Sequence, residues 1–233
     1  MPADHNRDLG DAIAETVEPL KPTLRGVLHA GTFPLALLAG LILILLAQNG
    51  STRTAAVIFT VASSLLFGVS ALYHRLRWGP RAQALLRRLD HSNIFLMIAG
   101  TYTPFGILLL HGADRVALLA AAWGGALLGV VFRVFWINAP RWFYTPIYLA
   151  LGWVAIFWLP DFYRGGGAAV VTLLAAGGLL YSLGALVYAL RRPNPSPRWF
   201  GFHEVFHACT VAAFAFHYVA VSLISFNSPD IAR

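Results

Sequence analysis

Long unbroken runs of apolar residues, separated by short polar and charged clusters, make up most of the chain. They fall at approximately 25–48, 54–76, 91–111, 115–134, 142–160, 167–190 and 200–226. About 20 residues of helix, rising ~1.5 Å each, cross the ~30 Å hydrocarbon core of a bilayer, and each run meets that length. Backbone groups in lipid must be satisfied within their own segment, so the runs are predicted as helices. A membrane β-barrel would need apolar–polar alternation, and the run LALLAGLILILLA (35–47) does not alternate. The expected fold is all-α: a seven-helix transmembrane bundle over 25–226, with a polar tail over 1–24 and a short tail over 227–233.

Composition strengthens this picture. Hydrophobic residues are 58% of the 233 and charged residues 12%, about half the charged share of ordinary soluble domains. Five of the ten acids (Asp4, Asp8, Asp11, Glu15 and Glu18) lie in the first 24 residues. A cleavable signal peptide would begin with a basic region followed by an apolar one. That pattern is missing here, so the first span is expected to be an uncleaved anchor. Ile13, Val17 and Leu20 share one helical face, which allows a short interfacial helix; a disordered tail is the alternative.

The net charge of +7 changes the picture through its distribution. Arg7, Lys21, Arg25, Arg75, Arg77, Arg81, Arg87, Arg88, Arg133, Arg141, Arg191, Arg192 and Arg198 fall on the N-terminal side of the membrane, thirteen in all, against four on the other (Arg53, Arg115, Arg164 and Arg233). By the positive-inside rule the N-terminus is cytoplasmic and the C-terminus outside, as in a multi-pass protein of the inner (plasma) membrane. Topogenesis and anionic lipids account for the basic balance, and no nucleic-acid partner is expected. The longest connection is expected to be the basic segment 77–89. Pro34, Pro104 and Pro146 fall inside spans and can kink them. Gly125, Gly129, Gly177, Gly178 and Gly184 are read as close-packing positions. Cys209, the single cysteine, is read as a small buried hydrophobe.

Ionisable residues inside a membrane are costly and are therefore the first candidates for function. With the N-terminus inside, the second span ends near His74, the third starts with Asp90 and His91, and the seventh starts with His203 and His207. Four polar groups from three spans thus reach one depth of the inner leaflet. His203 and His207 are spaced i, i+4 on one helical face, and Ser70 and His74 share that spacing. Three histidines plus a water is a common catalytic zinc arrangement. Asp90 can orient the water, act as general base or hold a ligand histidine, and Ser70 can bond the water or a developing oxyanion. His29 and His91 are read as hydrogen-bonding neighbours. His217, ten residues and roughly 15 Å beyond His207, is too far to share the ion. Paired haem is disfavoured, because no partner span offers two histidines at the separation of His203 and His217.

The segments SALYH (70–74), LDHSNIFLMIAGTYTPF (89–105), WFGFHEVFH (199–207) and KPTLRGVLHAGTFPLALLAG (21–40) resemble the hemolysin III branch of the progestin and adipoQ receptor (PAQR) membrane proteins. The resemblance touches spans one, two, three and seven. It implies zinc held by His74, His203 and His207, with Asp90 contacting the metal directly or through water and Ser70 beside it. It also implies kinship with membrane hydrolases that include alkaline ceramidases, which cleave lipid amides or esters within the helical bundle. Three functions remain open at this point. The first is a zinc-dependent hydrolase of a lipid-like amide or ester, acting in membrane-lipid homeostasis with lipids as partners and substrate. The second is a sensor or receptor in which zinc is structural. The third is a channel or cytolysin, for which no ring of acids or filter motif is present.

Overall fold

The computed structural model describes residues 22–227. The tail over 1–21, including Ile13, Val17 and Leu20, and the residues from 228 onward lie outside the described residues. Those described form helices with no strand, only an isolated bridge between Ser196 and Phe200. The helices are α1 (Val27–Leu45), α2 (Gly50–Arg75), α3 (Pro80–Leu109), α4 (Gly112–Phe135), α5 (Arg141–Gly152), α6 (Leu159–Leu190) and α7 (Phe202–Asn227), with a 3₁₀ segment Val154–Trp158 between α5 and α6.

Six stretches are long and apolar enough to cross a membrane, and the fifth of them, Arg141–Leu190, runs for 50 residues. A continuous helix of that length would extend about 75 Å, more than twice the hydrocarbon thickness. It is interrupted twice, by the 3₁₀ segment and at Gly167, whose φ of 79° and ψ of 178° break the helix. The stretch then doubles back. Arg141 donates to the Tyr188 carbonyl at 3.3 Å, Tyr144 bonds Tyr188 hydroxyl to hydroxyl at 3.2 Å, and Trp153 donates to Ser182 at 2.9 Å. The Tyr102 hydroxyl holds the first break: it donates to the Leu151 carbonyl at 3.2 Å and accepts from the Ala155 amide at 3.3 Å.

Segment 77–89 is mostly helix rather than loop. Pro80 begins α3 with its φ already suited to a first turn, and the following Arg, Ala, Gln and Leu residues are strong helix formers. Among the described residues the longest connection between these helices is instead 191–201.

Sequence neighbours pack side by side from α1 to α4, and α6 packs on α7, which returns to touch α1 and α3. α3 is the central helix: 72% of its apolar window is buried, against 28% for α1 and α4. Small residues allow the close approaches. A Cβ on Gly100 would lie 2.4 Å from the Ala62 Cβ, and one on Gly129 would lie 2.4 Å from the Phe95 ring. Gly125 and Gly184 are likewise close-packed, whereas Gly178 has open space beside it. The outer surface carries exposed Leu35, Leu45, Leu128, Phe135 and Phe157, the reverse of a water-soluble exterior.

Candidate metal centre

α2, α3 and α7 bring their polar residues to one end of the bundle. His74 lies in the last turn of α2, with the buried Ser70 one turn earlier. His203 and His207 occupy the first two turns of α7, both buried. One ligand atom from each of His74, His203 and His207 can be chosen so that all lie within 4.8 Å of one another. The ring centroids are 4.8 Å apart for His74–His203, 5.3 Å for His74–His207 and 4.5 Å for His203–His207. Among the described residues the buried His203 Nε2 and His207 Nδ1 have no hydrogen-bond partner. Buried nitrogen lone pairs left unpaired are costly, and a divalent cation satisfies them at once, so the donor set suits zinc.

Asp90 and Ser70 come to the same place but are not part of the three-histidine group. Asp90 Oδ2 is 3.8 Å from His74 Nε2, and the Ser70 side chain stands beside the Asp90 carboxyl. Asp90 and Ser70 line a cavity of about 170 Å³ together with His203 and His207. The cavity continues into the bundle past Leu66, Met97 and Ile98.

Three features of this end depart from the sequence reading. The first is His29. Its ring stacks on His207 at 3.7 Å with the planes 5° apart, and neither of its buried nitrogens has a hydrogen-bond partner among the described residues. It is therefore a stacking neighbour, not a hydrogen-bonding one. The second is a floor built from residues 22–26. The Thr23 amide donates to the Arg198 carbonyl at 2.9 Å and the Leu24 amide to the Trp199 carbonyl at 3.2 Å. Arg25 pairs with Glu204, which is 1% exposed and also accepts from the Gly201 amide at 2.8 Å. Gly26 then turns the chain upward with φ 77°, and a Cβ there would lie 2.5 Å from the His74 Cβ. Glu204, three positions after Gly201, makes the Glu half of a capping box, but with glycine at the cap the sequence lacks the Ser/Thr that would have signalled it.

The third feature is Arg133. Counted above among the loop charges, it is fully buried, paired with His91 and placed 4.3 Å over the Tyr144 ring. It sits near the end of α4, where that helix faces α3 and α5, and charge counting cannot tell an inward face from a loop. His91 takes the neighbour's role expected of it. His217 stands well down α7 from His207, apart from the three-histidine group.

The family profile described as "Haemolysin-III related" matches residues 17–218. The chain is similar to "Hemolysin-3" of Bacillus cereus, 38% identical over 157 residues that cover 66% of this chain and 71% of that protein. It is similar to a "Hemolysin-3 homolog" of Bacillus subtilis (strain 168), 36% identical over 58% of this chain and 63% of the relative. A more distant similarity, 26% identity over 70% of this chain and 41% of the relative, is to an "Adiponectin receptor protein" of Drosophila melanogaster.

Proposed function

The chain belongs to the haemolysin-III-related family of membrane proteins, and from its three-histidine cluster we propose that it is a zinc-dependent hydrolase of a lipid-like amide or ester, serving membrane-lipid homeostasis. One observation carries the reading: three histidine donors lie within 4.8 Å of one another, and two of them, His203 and His207, line a cavity that also reaches apolar residues of the bundle interior. His74, His203 and His207 would hold the ion. Zinc there would supply a Lewis acid and bring the pKa of a coordinated water to about 7. Asp90 is the proton carrier, taking a proton from the attacking water at Oδ2 and returning it to the leaving nitrogen or oxygen. Ser70, beside that carboxyl, would orient it. The apolar walls receive the acyl chain and exclude water from it.

The test is direct. Purified protein loaded with zinc, given a long-chain lipid amide in micelles, is expected to release free fatty acid, and a chelator should stop the release. Zinc-loaded protein that cleaves neither amide nor ester would overturn the hydrolase reading.

The same proposal includes seven membrane crossings, the doubled-back stretch 141–190 supplying two, with the N-terminus in the cytoplasm of an inner-membrane protein. The partition of basic residues, twelve to four once the buried Arg133 is set aside, supports that orientation. A C-terminal alkaline phosphatase fusion is then expected to be active and a C-terminal green fluorescent fusion dark. The reverse pattern would put the histidine cluster in the outer leaflet.

A further inference from the structure

The cavity lined by His203 and His207 also reaches a second polar position that hydrolysis does not use. His217 and Tyr181 line it, as do Thr210 and Gly178 on the way. His217 lies ten residues after His207 on α7, about 15 Å along the helix axis. It is 6% exposed. Its Nε2 is 3.1 Å from the Leu174 carbonyl, which can only accept, so Nε2 carries the hydrogen and Nδ1 is a bare acceptor. That Nδ1 has no hydrogen-bond partner among the described residues, and neither has the buried Tyr181 hydroxyl. The two rings lie 5.5 Å apart.

The position of the imidazole is built into the helix pair. A Cβ on Gly177 would fall 2.3 Å from His217 Nε2, so the missing side chain on α6 makes room for the ring. Between the two polar ends the lining is largely apolar, with Met97, Ile98 and Ala175 on the walls. Buried polar atoms without partners are destabilising, and they persist where something else completes them.

We infer that His217 and Tyr181 form a recognition site for a hydroxyl group carried along the chain of a lipid ligand whose head meets the histidine cluster. The chemistry selects the group. His217 Nδ1 needs a donor, and the Tyr181 hydroxyl can give or take a hydrogen. A hydroxyl donates to the first while accepting from the second. A carbonyl or ether oxygen cannot donate, a carboxylate would bring a charge into apolar surroundings, and a plain methylene chain leaves both atoms unpaired. A span of about 15 Å corresponds to about a dozen methylenes of extended chain, given carbon–carbon bonds of ~1.5 Å. The inference rests on the lipid reading of the cavity and narrows its substrate class to hydroxylated acyl chains.

The test is equilibrium binding to zinc-loaded protein in micelles, with stearate and a mid-chain hydroxystearate competing against a fluorescent fatty acid. The hydroxylated acid is expected to bind roughly tenfold more tightly, the scale of a hydrogen bond completed in a dry site. Tyr181→Phe, which removes one oxygen, and His217→Phe should each bring the two acids close to parity without changing stearate affinity or zinc content. Equal affinities in the unmodified protein would overturn this inference alone, leaving the hydrolase reading intact. A preference that survives Tyr181→Phe and His217→Phe would also overturn it. Binding of neither acid would remove the lipid reading of the cavity, and this inference with it.

Discussion

Replacement of both His203 and His207 by alanine is expected to take the bound metal from about one zinc per chain to none, and fatty-acid release with it. The two residues supply two of the three nitrogens in the cluster, on successive turns of one helix face. His74 alone, even with Asp90 Oδ2 3.8 Å away, is a poor site, because a single imidazole and one carboxylate leave half of a tetrahedral shell unfilled. The protein should still insert, since membrane insertion depends on the apolar runs and not on the cluster. Metal analysis of the purified variant, with circular dichroism to check helicity, measures both points. Full zinc content in the double variant would place the ion elsewhere. A single His203→Ala substitution should weaken binding without abolishing it in excess zinc.

The second large effect is expected at Asp90, and it separates a catalytic ion from a structural one. Asp90→Asn keeps the shape of the side chain and its place beside Ser70 and His74 but removes the basic oxygen. If the carboxyl moves protons during hydrolysis, zinc content should be unchanged while turnover falls by about 10²–10⁴-fold, the usual contribution of a general acid–base group. If Asp90 instead completes a closed four-ligand shell, the same substitution should release zinc and lower the melting temperature, with no turnover to lose. That outcome would move the protein to the class of membrane sensors with structural zinc. Measuring metal content and fatty-acid release on one preparation distinguishes the two.

Several parts of the site could be read before any fold was known. His203 and His207 are spaced to share a face, and His74 ends one span where Asp90 begins the next. Counting spans from the charge distribution was then enough to bring all four to one depth. Depth, however, is a single coordinate. Which side of each helix looks inward depends on how neighbours pack, and this is why His29, expected as a hydrogen-bonding neighbour, turned out to be a stacked one. In the sequence it is one histidine near a span boundary, with no spacing relation to the others. In the fold the α1–α7 contact stacks it on His207. Arg133 escaped for the same reason in reverse: a charge near the end of a run is counted as a loop residue until α5 is seen to close over it.

What the sequence determined by itself is what local physics controls: membrane residence, helical structure, approximate helix limits and the periodic placement of ligands along one helix. These follow from hydropathy and from 3.6-residue geometry, which act over a turn or a span. The break at Gly167 falls where the sixth apolar run begins, for glycine reaches φ 79° at little steric cost. Tertiary structure alone decided the rest. It set α3 at the centre, laid residues 22–26 as a floor through the Arg25–Glu204 pair, joined the cavity from His207 to His217, and left Tyr181 facing it. Most of these are meetings of residues far apart in the chain, made possible by small side chains such as Gly26 and Gly177 that let helices and rings approach. No local pattern encodes such a meeting, because the partner's position is set only when the helices pack.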